Sequence, residues 1–369
     1  MAPENQKGDR NLNISGDVEA RNIVAGDGNV VGDGNTVQYV NVFSTFDASQ
    51  STSVASQKLS KQEYRWRQLL VSNVKRYWIE GVLEKSLHNR ALIELGLEER
   101  SEAVPSPISG VGIFSNDEVN VYPEGTQVTD VFDDLGTGRT LLILGDPGAG
   151  KTTILLKIVQ SLLTRIGDDL GQSIPVILNL SSWAKKRDSI KKWLVQELYT
   201  TFQVSKALGK IWVEEEQLTL CLDGLDEVAA EHRDECVVAL NQFIQDHGLT
   251  EVVICSRIKD YEALSEQLRL KSAIYVQSLN SQQINKYLDQ AGEQLSALRT
   301  VLDRSPEIKE FTSSPLILSV MSLAYQGYLL DEIPELSSTQ AFQQRLFDSY
   351  IERMILRRGT TRHDDDRQA

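Results

Sequence analysis

One octapeptide constrains this chain more than any other stretch. Gly145-Asp146-Pro147-Gly148-Ala149-Gly150-Lys151-Thr152 satisfies the G-x-x-x-x-G-K-[ST] pattern. It follows an apolar run at 140–144 and precedes a helical pattern over 152–166. In that setting the glycines let successive amides curl toward one point, and the helix start adds its positive dipole end. The expectation is a loop that cradles phosphate, with Thr153 directly after it. Lys151 would bridge the β- and γ-phosphates, and the Thr152 hydroxyl would bind Mg²⁺.

The surroundings suit such a loop. Apolar runs at 140–144, 174–180, 218–222, 251–255 and 273–279 alternate with helical patterns at 152–166, 189–201, 229–247 and 261–267. Apolar strands separated by helices predict an α/β fold with a mainly parallel sheet covered on both faces. Beyond 279 the pattern is helical, at 281–290, 294–302, 315–325 and 338–357, with a break at Pro306. Upstream, Trp66, Leu70, Val74, Tyr77 and Trp78, then Leu83, Leu87 and Leu92, recur at helical spacing over 61–100 and predict a core-facing stripe. The first residues are different. Gly-Asp-Asn blocks such as Gly26-Asp27-Gly28-Asn29 and Gly32-Asp33-Gly34-Asn35 alternate with Val and Ile, which reads as small hairpins, as a few rungs of β-solenoid or as a mobile arm. The expected organisation is an arm at 1–43, a linker at 44–60, a helical segment at 61–110, a nucleotide-binding domain at 111–280, a helical domain at 281–358 and a charged tail at 359–369.

Two further motifs carry chemistry. Leu218-Thr219-Leu220-Cys221-Leu222-Asp223 is an apolar strand that delivers Asp223 at its C-terminal end, where it could serve Mg²⁺ beside the phosphate loop. Asp226 and Glu227 follow. One of them could activate water, Glu227 being favoured, or both could cap the helix that starts near Ala229. Val252-Val253-Ile254-Cys255-Ser256-Arg257 brings a cation to a strand end. If that strand lies between the other two, Arg257 can sense the γ-phosphate and stabilise transition-state charge. Asn285-Lys286-Tyr287-Leu288 lacks the aspartate of a guanine-reading box, which favours ATP. The four histidines and Cys221, Cys236 and Cys255 form no zinc pattern.

These motifs resemble the NACHT domain of the STAND class of P-loop ATPases. The resemblance rests on residues 145–153, on Leu222-Asp223-Gly224-Leu225-Asp226-Glu227, on Cys255-Ser256-Arg257 and on Ser314-Pro315-Leu316-Ile317-Leu318, and spans about 128–357. Its specific part is Gly224 directly after Asp223, with the acids further on. The resemblance implies an ASCE-type, five-stranded sheet in the order 5-1-4-3-2, and a helical domain in which Pro315 contacts adenine. It also implies a switch that rests with ADP, exchanges it for ATP and homo-oligomerises. Bacterial members act in antiphage defence through a trigger and an effector that the sequence does not identify. In the family a winged-helix domain and a sensor follow. The helical domain is expected to end near 358, with only a short tail to 369 after it, so a fragment or a truncated member is expected.

The balance of 38 basic against 52 acidic side chains, net −14, argues against a general nucleic-acid binder. No run reaches the ~18 apolar residues of a membrane span. Three cysteines in 369 residues suit a reducing compartment. The expected setting is cytoplasmic.

Overall fold

The computed structural model describes residues 24–26, 29–32, 36–39, 60–84, 95–105, 121–167, 169–329, 333 and 339–365. The chain divides into two compact units, Met1–Ser56 and Gln57–Ala369. In the first, β1 (Val24–Gly26), β2 (Asn29–Gly32) and β3 (Thr36–Tyr39) form an antiparallel meander. Its two connections coincide with the Gly-Asp-Gly-Asn blocks, where positive φ is tolerated. The rest of the 1–43 arm, and the linker up to 59, lie outside the described residues.

The second unit opens with α1 (Lys61–Val74), capped by the Ser60 hydroxyl, which accepts from the Glu63 amide at 3.1 Å. It runs directly into a π-helical stretch, Lys75–Leu83. Leu70, Val74, Ile79 and Leu83 are buried, and Trp66 and Trp78 pack against the core. Tyr77 does not join the predicted stripe. The wider turn carries Ile79 and Leu83 inward, four residues apart, and leaves Tyr77 65 % exposed. Arg67 is buried and donates to the Leu170 and Gln172 carbonyls and to Gln217 Oε1, which pins α1 to the segments ahead of two strands. Leu87 and Leu92 lie outside the described residues. The helix expected up to residue 100 is corrected by a strand, β4 (Leu97–Glu99). Leu95 and Leu97 alternate with Gly96 and Glu98, and this period of two is a strand signal.

Next come α2 (Val128–Asp134), β5 (Thr140–Gly145), α3 (Lys151–Ile166), β6 (Ile174–Asn179), α4 (Ile190–Phe202) and α5 (Lys206–Glu214). They are followed by β7 (Leu218–Asp223), α6 (Ala230–Asp246), β8 (Glu251–Arg257), α7 (Ile258–Glu262) and β9 (Ser272–Val276). The sheet order is β4-β9-β5-β8-β7-β6. Its five parallel strands run fifth, first, fourth, third, second. The sheet has six strands where five were expected, because β4 adds an antiparallel edge against β9. Leu141, Ile143, Val176, Leu220, Val253 and Ile274 are buried to 2 % exposure or less, as strands covered on both faces must be. The helix expected at 261–267 ends at Glu262. Beyond it side chains satisfy the main chain: Asp234 accepts from the Ser265 amide, the Tyr261 hydroxyl from Leu268, and Asn241 from Arg269.

The remaining elements are α8 (Ser281–Ala291), α9 (Ser296–Arg304), α10 (Pro306–Phe311), α11 (Pro315–Tyr325) and α12 (Thr339–Asp365). Pro306 was expected to break the helical run. The run does break there, α9 ending at Arg304, and Pro306 then starts α10, where a missing amide proton costs nothing. Helix α12 extends into the stretch expected to be tail. Leu298, Leu318, Met321, Phe342 and Leu346 belong to a second hydrophobic cluster, distinct from that of the sheet.

Candidate functional site

Parallel pairing brings the C-terminal ends of β5, β6, β7 and β8 to one rim, with Asn179 opposite Asp223 and Gly145 opposite Arg257. Strand β8 lies between β5 and β7, the arrangement that an Arg257 role requires. After Gly145 the chain curls through Gly148 (φ 77°) and Gly150 (φ 96°), conformations that side chains disfavour. Gly150 is the N-cap of α3 and makes no side-chain cap, so the first-turn amides keep their donor capacity. The Ala149 amide bonds to Asp146 O at 3.1 Å. Lys151 Nζ donates to the Gly145 and Asp146 carbonyls, both at 2.9 Å. Burial lowers the Lys151 pKa, and nearby Asp226 opposes that shift.

Thr152 Oγ1 donates to Asp223 Oδ2 at 2.8 Å. Burial raises the Asp223 pKa, the Thr152 bond pulls it down, and the negative charges of Glu227 and Asp226 add to the rise. A hydroxyl at a helix start and a carboxylate at a strand end are hard oxygen donors of the kind Mg²⁺ prefers, so the residues fit a Mg²⁺–phosphate group. Among the described residues no cluster of three His, Cys, Asp or Glu could hold a metal alone, so a cation here would depend on phosphate oxygens. Cys221 and Cys255 are buried, and burial raises their thiol pKa values.

Gly224 suits both its backbone and its neighbour. With φ 75°, a Cβ there would sit 2.9 Å from the Glu227 carboxyl carbon. Asp226 and Glu227 lie in the 3-10 turn Leu225–Glu227, and α6 starts from Ala229 with no side-chain cap. The helix-capping reading of these acids is therefore corrected: both side chains turn to the rim. Glu227 Oε2 accepts from Asn179 Nδ2 at 2.7 Å. Asp226, with an 8 % exposed side chain, pairs with Arg257 Nε at 2.8 Å and accepts from the Arg257 amide at 3.2 Å. Arg233 fixes the turn by donating to the Asp226 and Val228 carbonyls and pairing with Asp260 at 3.0 Å.

Pro315 is the buried first residue of α11. Its neighbours dock on the loop: the Leu316 amide bonds to Gly148 O at 3.2 Å, and the Ser314 hydroxyl lies 3.4 Å from the same oxygen. A Cβ on Gly148 would meet Ser314 Oγ at 2.9 Å and Leu316 Cβ at 3.0 Å. Pro147 lies in the same loop, between Asp146 and Gly148, and Thr153 lies in the first turn of α3. The rim also holds residues that the sequence reading passed over, namely Asn179, Arg233 and Tyr275. Asn179 had a signal. Each of the four strands ends its apolar run on glycine or a polar residue, and Asn179 is the one ending left without a role.

The model of the NACHT domain matches residues 139–294. The match contains the phosphate loop, Asp223, Glu227 and Arg257, the residues gathered on the rim. Over residues 139–294 the chain is similar to the NACHT domain. No curated protein matches the chain. Among solved structures, C. elegans PCH-2 is similar at 17 % identity over 62 % of this chain and 67 % of its own, with a TM-score of 0.31. The Aeropyrum pernix ORC1 protein in complex with DNA is similar at 13 % identity over 61 % of this chain, with a TM-score of 0.38. The match spans 63 % of the ORC1 chain, less than two thirds. The NACHT domain has the fold of a nucleotide-binding P-loop ATPase. No helix among the described residues is long and apolar enough to cross a membrane.

Proposed function

We propose that the chain is an ATP-binding, slowly ATP-hydrolysing switch of STAND type, whose ADP or ATP state controls self-association. The setting is cytoplasmic and the role is antiphage defence, with a trigger and an effector supplied by other molecules. One observation carries the reading: the 2.8 Å contact between Thr152 on the loop helix and Asp223 on the third parallel strand, beside the Lys151 ammonium. Residues 145–153 hold the polyphosphate through main-chain amides and Lys151. Thr152 and Asp223 hold Mg²⁺, which when bound neutralises phosphate charge. Glu227 is the base that orients and deprotonates water. Asp226 is less suited to that task, since both its oxygens serve Arg257. Arg257 reads the terminal phosphate and stabilises charge in the transition state. Pro315 faces the adenine.

A second reading, a nucleotide-dependent scaffold with negligible catalysis, draws support from the partners of the two reactive groups. Asn179 holds Glu227, and Asp226 holds Arg257. Single-turnover phosphate release with Mg²⁺ separates the two. Glu227→Gln should still bind ATP and release phosphate about a hundredfold more slowly. Equal rates in the variant and the wild type would leave the scaffold.

A further inference from the structure

Asp146 poses an electrostatic problem. It is the second residue of the loop assigned above to a polyphosphate, and its carboxylate has the wrong sign for a neighbour of that anion. The structure holds this group aside. Tyr275 on β9 donates its hydroxyl proton to Asp146 Oδ2 at 2.9 Å. Tyr275 pairs in the ladder with Leu144 on one side and Glu98 of the antiparallel edge strand on the other. The Arg100 guanidinium lies 5.3 Å from the centre of its ring, and the Arg100 amide bonds to Ala273 O. The tyrosine is therefore fixed by an element outside the matched residues 139–294.

We propose that Tyr275 is a positioning residue for polyphosphate binding, turning the Asp146 carboxylate away from the path of the phosphates. The proposal rests on the phosphate-loop reading above. Burial and the adjacent Asp146 raise the Tyr275 pKa to about 12, so the hydroxyl stays a donor throughout the neutral range. Without the hydroxyl, the carboxylate is free to turn into the loop and repel the ligand. That penalty is Coulombic, so it grows with phosphate charge and shrinks with salt.

The test measures affinity for a fluorescent ATP analogue and for its ADP counterpart, at low and high salt. Tyr275→Phe should bind the ATP analogue about tenfold more weakly at low salt, which is the scale of one hydrogen bond to a charged group. The loss should be smaller for the ADP analogue and should fade at high salt. In an Asp146→Asn background, adding Tyr275→Phe should change affinity less than about twofold, because no charge remains to be held. Wild-type affinity in Tyr275→Phe would overturn the proposal. So would a loss independent of salt and of residue 146, which is what a packing role gives. Lys151→Ala with undiminished affinity would instead strike down the phosphate-loop reading itself, and the proposal with it.

Discussion

The two ends of the parallel sheet use the same kinds of side chain to opposite effect. At the start of the strands, Arg139 pairs with Asp133 and with Glu251 (2.7 Å), and Arg165 also pairs with Asp133. Thr219 donates to the other Glu251 oxygen at 2.8 Å, and Arg139 covers the Phe132 ring at 4.4 Å. Cations and carboxylates there satisfy one another. At the strand ends, Asp223, Asp226 and Glu227 crowd around Lys151 and Arg257. Asp223 is half-buried beside two other acids; its carboxylate meets the Thr152 hydroxyl, the Gly224 main chain and the Cys255 thiol, and Lys151 acts on it through space rather than through an ion pair. Hydrogen bonds to the Asp133 carboxylate favour its charged form, whereas burial works against the charge on Asp223. A fold gains nothing from the second arrangement. A site that receives a divalent cation does.

Removing one cation from each end should therefore give different losses. Lys151→Ala should weaken ATP binding a hundredfold or more, the scale of two charge-assisted bonds to phosphate, with little change in the urea midpoint. Arg139→Ala should do the reverse. It leaves Glu251 and Asp133 with poorer partners and uncovers Phe132, so a loss of about 2 kcal/mol is expected in urea unfolding. ATP affinity should stay within about twofold. If Arg139→Ala weakens binding as strongly as Lys151→Ala, the two ends do not divide the work in this way.

How much of this was readable in the chain follows from distance along it. The loop from Gly145 to Thr152 is one covalent stretch, and its spacing alone dictates amides converging at a helix start. Asp223, Gly224 and Glu227 are likewise neighbours, and the resemblance marked Gly224 before its setting was visible: φ is 75° there, and a Cβ would push the Glu227 carboxylate aside. Tyr275 was hidden because its partner, Asp146, lies 129 positions away, and Asn179 lies 48 from Glu227. Such pairs exist only once the strands have taken their order. The strand at 97–99 was masked by flanking leucines that also fit a helical period. The capping role first open to Asp226 and Glu227 fails for a related reason. Arg257, Arg233 and Asn179 arrive from other elements and draw that turn to the rim.

The finest contrast between the two ends is the sign of their pH dependence. Asp133 has a folded pKa below its unfolded value, chiefly through its Arg165 bond. It contributes stability above the unfolded pKa near 4, and that contribution disappears as pH falls through the folded value. Asp223 has a folded pKa above its unfolded value, chiefly through burial. The native state then binds the extra proton between the two values, so stability falls as pH rises through that window and remains lower at neutrality. At pH 7, with neither nucleotide nor Mg²⁺, Asp133→Asn should destabilise by a few tenths to about 1 kcal/mol, since its ion pairs are partly exposed. Asp223→Asn should stabilise by up to about 1 kcal/mol. Both differences should shrink toward zero as unfolding midpoints are followed down to acid pH. With Mg²⁺ and ATP present, the gain in Asp223→Asn should reverse, because the ligand stabilises only the chain that binds it well. A destabilised Asp223→Asn at neutral pH would mean that the Thr152 bond outweighs the cost of burying the charge.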